Sequence, residues 1–329
     1  MCGIYFYKGT KHSWEMLEPE INLIQYRGPD NTHHENLSET VLFGFHRLAI
    51  MGITETGNQP MKHPNNESLT MVCNGEIYNY IILAEKYEFE LITGSDCEII
   101  LLMFEKFGIE KTINELDGVF MFVIHDDRNG QIFAGRDPVG VRPGFMGKDR
   151  DEIMIASEAK SLIKYCNKIT PFPPGTWWCS ESPNEYNTYF HYNGVKIQEH
   201  TEKDISDKIR SLLTNAVKKR LMAEREIGCL LSGGLDSSLI LFHMSKYISN
   251  INVFATGLDE KNYSELKYVD LISKELSLSV DKTIIDENIF VDEIQNVLRF
   301  RGEPNAIPHE TAFYLMSQKM KNKIKRFSL

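Results

Sequence analysis

The stretch IGCLLSGGLDSSLILF, residues 227–242, decides the fold of the second half of the chain. Its first five residues are apolar and suit a buried strand, whereas the part from residue 238 onward has the apolar content of a helix. The glycines between them allow the backbone to approach an anion closely, and the N-terminus of the following helix offers unpaired N–H groups. The stretch therefore predicts a strand, an anion-binding loop and a helix in direct succession.

Strand and helix continue to alternate on both sides of this stretch. Apolar residues recur at helical spacing between Ile205 and Leu221, and further helices are expected from about residue 287. The segments between them suit a strand, a helix and a strand in turn: INVFATG (251–257), SELKYVDLISKEL (264–276) and SVDKTIID (279–286). This alternation predicts a parallel sheet wrapped by helices, so the second half is expected to be doubly wound.

The first 190 residues follow a different pattern, in which strands dominate. Helices are expected chiefly at 97–107 and 158–165. Short apolar runs bounded by turn residues suit strands: GIYFY (3–7), VLFGFHRLAI (41–50), LTMVCNG (69–75), GVFMFVIHDD (118–127), QIFAGRD (131–137) and EIMIAS (152–157). We therefore expect an α/β protein with a layered sandwich at 1–190, a linker near 190–200 and a second domain at 200–329.

The composition is that of an ordinary globular protein without a concentrated basic surface. With 329 residues and a formal net charge of −10, the chain is not expected to bind nucleic acid. No apolar run approaches the about 20 residues that span a bilayer, and a signal-peptide pattern is absent, so no membrane partner is expected. Six widely spaced cysteines without a Cys-x-x-Cys pair argue against zinc and disulfides and favour a cytoplasmic location.

The loop SGGLDSS, residues 232–238, differs from a Walker loop because no Gly-Lys-Ser/Thr sequence follows its glycines. Asp236 adds a carboxylate that would repel phosphate unless a divalent cation lay between them, so magnesium is implied. The alternative is a serine- and glycine-rich cap with Asp236 as an ordinary acid of the first helical turn. The position of the whole string between a strand and a helix favours a nucleotide site.

SGGLDSS resembles the pyrophosphate loop of ATP pyrophosphatases, enzymes that adenylate a carboxyl or carbonyl group and release pyrophosphate. The resemblance implies ATP and magnesium as cofactors, with the metal between Asp236 and the phosphates. It also implies an adenine side formed by Leu230 and Thr256, where Thr256 replaces a residue that is usually apolar. The residues that it assigns to the phosphates are Ser232, Gly233, Gly234, Asp236, Ser237 and Ser238.

The chain opens with MCGIYFY, in which a cysteine directly follows Met1. Removal of Met1, which a small second residue permits, would leave Cys2 with both a thiol and a free α-amine. Because that amine has an ordinary pKa of about 8, it can accept the thiol proton near neutral pH, and one residue would supply nucleophile and base. The alternative, a cysteine that merely begins the first strand, is left open by this stretch alone.

Further short motifs follow that opening. They are YRGPD (26–30), HRLAI (46–50), NGEIYN (74–79), GSDCE (94–98) and GRDPVGVRP (135–143). Together with MCGI they resemble the glutaminase domain of class II glutamine amidotransferases, which use an N-terminal nucleophile and have the N-terminal-nucleophile hydrolase fold. With SGGLDSS and the EP…YLMS stretch at 303–317, their order resembles that of the glutamine-hydrolysing asparagine synthetases.

The resemblance assigns roles around glutamine. Cys2 attacks the side-chain amide, Asn74 and Gly75 form the oxyanion hole, and an arginine fork suits the substrate carboxylate. The glutamine-binding residues that it implies are Arg47, Leu48, Ala49, Ile50, Met51, Asn74, Gly75, Glu76 and Asp96, with Glu76 and Asp96 near the α-amino group. Taken singly, Asn74–Gly75 also suits a turn, Asp96 a helix N-cap and Arg47 a structural ion pair.

By this resemblance the chain is expected to be an asparagine synthase, a carbon–nitrogen ligase with glutamine, aspartate and ATP as substrates. Glutamine hydrolysis supplies ammonia, and the amidation of aspartate proceeds through aspartyl-AMP. The family continues past the chain's last residues, RFSL, into a second loop of the form SGEGxDE, so the ATP-binding domain is expected to be partial and the hydrolysis half better supported. The alternatives are a stand-alone glutaminase and a non-catalytic glutamine- or nucleotide-binding regulator; a homodimer is left open.

Overall fold

The computed structural model describes residues 1–192, 194, 200–258, 265–301, 308–321, 324 and 326–328. The chain divides into two compact units, residues 1–195 and 196–329. Each unit combines helices with β-sheet, and the second contains a parallel sheet. The α/β fold class expected from the sequence is therefore confirmed.

Two antiparallel sheets form the centre of the first unit. One has the strand order β10-β8-β9-β1-β3-β2, and the other has the order β12-β11-β7-β6-β5-β4. The strands are β1 (Gly3–Lys8), β2 (Asn31–Ser38), β3 (Val41–Arg47), β4 (Met61–His63), β5 (Asn66–Ile77), β6 (Gly118–Asp126), β7 (Gln131–Arg136), β8 (Phe145–Asp149), β9 (Glu152–Ala156), β10 (Lys168–Pro171), β11 (Thr176–Cys179) and β12 (Asn187–Thr188). The helices are α1 (Trp14–Ile21), α2 (Tyr80–Tyr87) and α3 (Glu98–Glu115).

The period of two in β1 shows how the layers are stacked. Ile4 and Phe6 belong to a core between the two sheets, whereas Tyr5 and Tyr7 pack against α1 on the outer face. Strand β6 has the same arrangement, because Met121 faces the core between the sheets and Phe122 packs against α3. The sheets therefore form the two inner layers, and the helices cover them. Burial on both faces explains why these strands are continuous apolar runs.

The helix predicted at 158–165 is wrong. The structure has only a short 3₁₀ helix there, Ala159–Ser161. The Ser161 hydroxyl donates to the Glu158 carbonyl at 2.8 Å, a local bond that competes with helix extension. The Glu158 carboxylate binds Arg27 and Tyr26, which ties this stretch to a distant segment.

The second unit contains a parallel sheet with the strand order β15-β14-β13-β16. Its strands are β13 (Ile227–Leu230), β14 (Asn252–Leu258), β15 (Val280–Ile285) and β16 (Arg326–Ser328). Its helices are α4 (Glu202–Arg220), α5 (Leu235–Met244), α6 (Leu266–Glu275), α7 (Glu287–Arg301) and α8 (Pro308–Met320). Because β14 and β16 lie on opposite sides of β13, the order reverses there, and such switch points are where α/β sheets bind ligands.

The six cysteines are all unpaired. Cys73, Cys97, Cys166, Cys179 and Cys229 are buried, as expected from the sequence, whereas Cys2 is only partly buried. Across the part of the chain that the structure describes, helices lack the combination of length and apolar character needed to cross a membrane.

Replacing Phe43 with Ala is expected to lower the free energy of unfolding of the first unit by about 3–5 kcal/mol, because it leaves a cavity between the sheets. The Phe43 side chain is fully buried, and its ring centroid lies 5.0 Å from that of Phe6. All three tryptophans, at positions 14, 177 and 178, belong to this unit, so urea unfolding followed by tryptophan fluorescence reports on it.

The matched control is Ile82→Ala. Ile82 is 65% exposed on α2, so its loss is expected to change stability by less than about 0.5 kcal/mol. Equal effects of the two substitutions would contradict the layered core.

Candidate active site

Cys2 immediately precedes β1 of the first sheet and contacts Asn74 of the second sheet. Its backbone N–H donates to Asn74 Oδ1 at 3.0 Å. Its sulfur accepts from the Leu48 N–H at 3.4 Å and lies 3.7 Å from the Leu48 carbonyl. Arg27 Nε donates to the Cys2 carbonyl at 3.0 Å. Cys2 is thus fixed by contacts from three separate segments, of which the Leu48 segment contacts the sulfur.

Asn74 presents a buried donor at this position. Residues alternate along β5, so Asn74 shares a face with Val72, which packs in the core between the sheets beside Cys2. Asn74 is 1% exposed, and among the residues that the structure describes its Nδ2 has no hydrogen-bond partner. Since Cys2 occupies the Oδ1 atom, the amide has N–H groups left for another molecule. The turn alternative for Asn74–Gly75 is excluded because both residues lie inside β5.

Gly75 lies where the second sheet has no room for a side chain. A Cβ there would lie 2.8 Å from the Phe120 Cβ and 3.0 Å from the Cys73 sulfur. Gly75 pairs with Phe120 of β6, so β5 and β6 could not accommodate it without separating. The glycine therefore allows the Asn74–Gly75 backbone to remain in register with β6.

Arg47 is buried at the end of β3 and organises the loop that follows. Its Nη1 donates to the Thr54 carbonyl at 2.8 Å and to Asn58 Oδ1 at 2.7 Å, and its Nη2 donates to the Gly52 carbonyl. Through these neutral oxygens Arg47 anchors the loop that follows β3. Binding of a substrate carboxylate by Arg47 stays a prediction.

The residues after Arg47 curve toward the Cys2 sulfur. Leu48 contacts the sulfur through its backbone, and the Ala49 N–H donates to Asp30 Oδ2 at 2.9 Å. Ala49 is buried, whereas Ile50 and Met51 are partly exposed. The YRGPD and HRLAI motifs therefore meet in space, as two motifs of one site should.

Asp96 and Glu98 hold the segment before α3. Asp96 Oδ2 accepts from the Ile77 N–H at 2.6 Å, and the N-cap of α3 is Cys97, so Asp96 is not that cap. Glu98 is fully buried, and its carboxylate accepts from the Thr93 N–H at 2.8 Å and from the Ile92 N–H. Sequence reasoning missed Glu98, although the GSDCE motif contains it.

Glu76 forms an ion pair that sequence reasoning also missed. Arg142 Nη2 lies 3.1 Å from Glu76 Oε1, and both side chains are mostly buried. Glu76 follows Asn74 by two positions and so faces the same side of β5. The signal available in the sequence was the GRDPVGVRP motif, to which no role was assigned.

Burial shapes the ionisation of the nucleophile and its neighbour. Burial raises the pKa of the Cys2 thiol above its ordinary value, and the nearby amino terminus and Arg142 act in the opposite direction. Burial also lowers the pKa of the Met1 amino group to about 5. In the chain that keeps Met1, this amino group is therefore neutral at pH 7.

In the second unit, the loop after β13 leads directly into α5. Gly233 has φ +84°, and a Cβ there would lie 2.9 Å from the Tyr268 Cβ, so glycine is required. Ser232 and Ser237 bring their hydroxyls to 2.9 Å from each other, and the Ser238 hydroxyl donates to the Gly234 carbonyl at 2.6 Å. Gly234 is the N-cap of α5. Hydrogen bonds within the loop therefore hold its backbone at the N-terminus of α5.

The two residues assigned to the adenine side lie on neighbouring strands. Leu230 pairs with Phe254, and Thr256 follows two residues later on β14. Asp236 is exposed in the first turn of α5. Within the described ranges, no cluster of three or more His, Cys, Asp or Glu residues could hold a metal ion alone. A cation here would therefore need ligands from the phosphates as well as from Asp236.

Comparison with known proteins assigns both units. Residues 1–175 match the family described as glutamine amidotransferase domain, and residues 208–327 match the family described as asparagine synthase. The asparagine synthetases [glutamine-hydrolyzing] of Rattus norvegicus and Homo sapiens are each 38% identical to the chain over 293 residues. These matches cover 79% of this chain and 52% of each relative, so the chain spans about half the length of the curated relatives it matches.

The fold is also similar to the solved structure of the allosteric regulatory enzyme of purine biosynthesis. The match has a TM-score of 0.50 at 14% identity and covers 86% of this chain and 80% of that chain. At this identity the likeness concerns the fold alone. The first of the two family matches covers more than half of the 329 residues. The chain belongs to the glutamine amidotransferase domain family, and an asparagine synthase domain follows in its second unit.

Proposed function

We propose that the chain hydrolyses glutamine to glutamate and ammonia and uses the ammonia for the ATP-dependent amidation of aspartate. The observation that carries the proposal is the buried Asn74 amide, which binds the Cys2 backbone through Oδ1 and keeps Nδ2 without a partner. An unpaired buried donor beside a thiol suits a site where negative charge develops on a substrate oxygen.

The proposed hydrolysis begins after Met1 has been removed. The Cys2 amine takes the thiol proton, and the sulfur adds to the side-chain carbonyl of glutamine. The resulting oxyanion accepts from Asn74 Nδ2 and the Gly75 N–H. The tetrahedral adduct then collapses to a thioester. The protonated amine of Cys2 transfers its proton to the departing amide nitrogen, which leaves as ammonia. Water then attacks the thioester, releases glutamate and restores the thiol.

Recognition of glutamine follows from the charges around Cys2. The substrate carries a carboxylate and an ammonium group, which require partners of opposite charge. Arg47 is the proposed partner of the carboxylate, and Glu76 and Asp96 are the proposed partners of the ammonium group. Both acids are in β5 or hydrogen-bonded to it, so they are held in register with Asn74.

In the second unit we propose that the SGGLDSS loop binds ATP so that aspartate is activated as aspartyl-AMP. A positive φ at Gly233 and the α5 N-terminus suit a pyrophosphate group. Leu230 and Thr256 would contact the adenine side, and Asp236 would hold magnesium together with phosphate oxygens. Magnesium, when bound, neutralises phosphate charge and orients the leaving pyrophosphate.

A cytoplasmic location and a homodimer remain proposals. The first is supported by six unpaired cysteines, which suit a reducing compartment.

Substitution of Asn74 by Ala is expected to lower the glutaminase kcat by about 10²–10³-fold, because one oxyanion donor is lost. Cys2→Ala is expected to abolish glutamate release. The matched control is Cys166→Ala, which removes a buried thiol on the outer face of the first sheet, where it packs among the residues beside α1. Glutamate release from purified protein is the measurement. A Cys2→Ala variant as active as the parent would exclude the proposed nucleophile, and glutamine binding without turnover would favour a regulator.

An N-terminal extension that prevents removal of Met1 is expected to silence the thiol. Burial raises the pKa of Cys2 in the chain that keeps Met1, so its alkylation by iodoacetamide should increase only above the ordinary thiol pKa of about 8.5. In the processed chain the free amine of Cys2 adjoins the thiol and should restore labelling at neutral pH. Peptide mass analysis at Cys2 measures both rates. Equal labelling of the two forms at pH 7 would contradict the role of the amine.

Asp236→Asn is expected to reduce aspartate-dependent ATP–pyrophosphate exchange by at least about tenfold and to raise the magnesium concentration that is required, because one metal ligand is weakened. The control is Asp207→Asn, which removes an exposed carboxylate from α4. Exchange that is equally reduced in both variants, or unchanged in Asp236→Asn, would count against the metal role.

A further inference from the structure

The GRDPVGVRP segment, residues 135–143, comprises the last two residues of β7 and the tight loop that follows, and it has no role in the proposed reaction. Arg136 binds the carbonyl groups of this loop: its Nε donates to the Arg142 carbonyl at 2.7 Å and its Nη2 to the Gly140 carbonyl at 2.8 Å. Arg136, the first charged residue of the motif, therefore holds the loop through two of its carbonyl groups.

Asp137 binds the N–H groups of the same loop. Its Oδ1 accepts from Val139 at 3.2 Å and from Val141 at 2.9 Å, and its Oδ2 accepts from the Arg142 N–H at 2.9 Å. Asp137 is 1% exposed, so these backbone amides take the place of water around a buried carboxylate. A charged acceptor makes each of these bonds stronger than a neutral one would.

The Asp137 carboxylate also fixes the loop to the strand beside the candidate oxyanion hole. Its Oδ2 accepts from the Phe120 N–H at 3.3 Å, and the Asp137 N–H donates to the Phe120 carbonyl at 2.9 Å. Phe120 pairs with Gly75 across β5 and β6. One carboxylate thus holds both the loop and the neighbour of Gly75.

Arg142 transmits this arrangement to the substrate side. Its backbone is held by Asp137, and its side chain binds Glu76 at 3.1 Å. Among the described residues, the buried Arg142 Nε has no hydrogen-bond partner. The guanidinium is held by the bond from its Nη2 to Glu76. A displacement of the loop would therefore move the charge that sets the position of Glu76.

We propose that Asp137 is the positioning residue for glutamine recognition: it fixes the loop that carries Arg142, and Arg142 holds Glu76 in the orientation that receives the substrate α-ammonium group. This inference rests on the proposed function, in which Glu76 binds that group. Asp137 touches no reacting atom and acts only through Arg142 and the β6 backbone.

The test is Asp137→Asn, because the amide keeps the size of the side chain but replaces one acceptor oxygen with an N–H donor. That donor would face backbone N–H groups that now bind oxygen. The matched control is Asp126→Asn at the other end of β6. Asp126 is also buried, at 4% exposure, and accepts from the Arg128 N–H at 3.1 Å, outside the Cys2 contacts.

Two reagents that label Cys2 separate recognition of glutamine from the reactivity of the thiol. Iodoacetamide requires only the thiol, whereas a chloroketone that carries the α-amino and α-carboxylate groups of glutamine also requires recognition. In Asp137→Asn, labelling by the chloroketone is expected to fall about 10- to 100-fold, the effect of a misplaced binding group, and iodoacetamide labelling should stay within about twofold. Asp126→Asn should leave both rates within about twofold of the parent. In steady-state assays, Asp137→Asn should raise KM for glutamine more than it lowers kcat.

The outcomes distinguish this inference from the proposed function. Chloroketone labelling that is unchanged in Asp137→Asn, or equally reduced in both variants, would overturn the positioning role. So would an equal loss of labelling by both reagents in Asp137→Asn, since that indicates a less reactive thiol rather than lost recognition. If the parent chain releases no glutamate but the expected labelling pattern holds, hydrolysis fails as the function and the positioning role stands.

Discussion

The hydrogen bond from the Cys2 backbone to Asn74 is the contact on which the candidate site depends, because it joins one sheet to the other. Cys2 precedes β1 of the first sheet, and Asn74 belongs to β5 of the second. The spacing of the two sheets is set by side chains packed between them, among which Phe6 and Phe43 are fully buried. The apolar packing between the sheets therefore maintains the geometry of the Cys2–Asn74 hydrogen bond.

Three carboxylates, of which Glu98 and Asp137 are buried, then fix the loops around that bond. Asp30 accepts from the Ala49 N–H, Glu98 accepts from the segment at 92–93, and Asp137 accepts from the loop at 139–142. In each case a backbone segment that lacks secondary structure obtains a side-chain acceptor for its N–H groups. These acids give irregular loops the rigidity that a binding site requires.

Strands such as β1, β3 and β6 were predictable from the sequence because burial on both faces leaves continuous apolar runs, whereas β2 was missed because its residues are polar and mostly exposed. Helix α1 was also missed, since Pro19 lies within it. Cys2 and Asn74 were found through short motifs, and their contact required the fold. Glu98 and Asp137 were missed because a carboxylate that accepts from the N–H groups of a nearby irregular loop leaves no periodic pattern in the sequence. The Arg142–Glu76 pair was missed because its two side chains lie 66 residues apart along the chain.

The pairing of β1 also constrains how the first unit acquires its structure. This strand lies between β3, which is close in sequence, and β9, which begins at residue 152. The Ile4 N–H reaches its acceptor on Ser157 across a separation of 153 residues. Such distant pairing slows folding, because a long loop must close before the contact is gained. During synthesis, β1 can therefore pair along both of its edges only after most of its unit has left the ribosome.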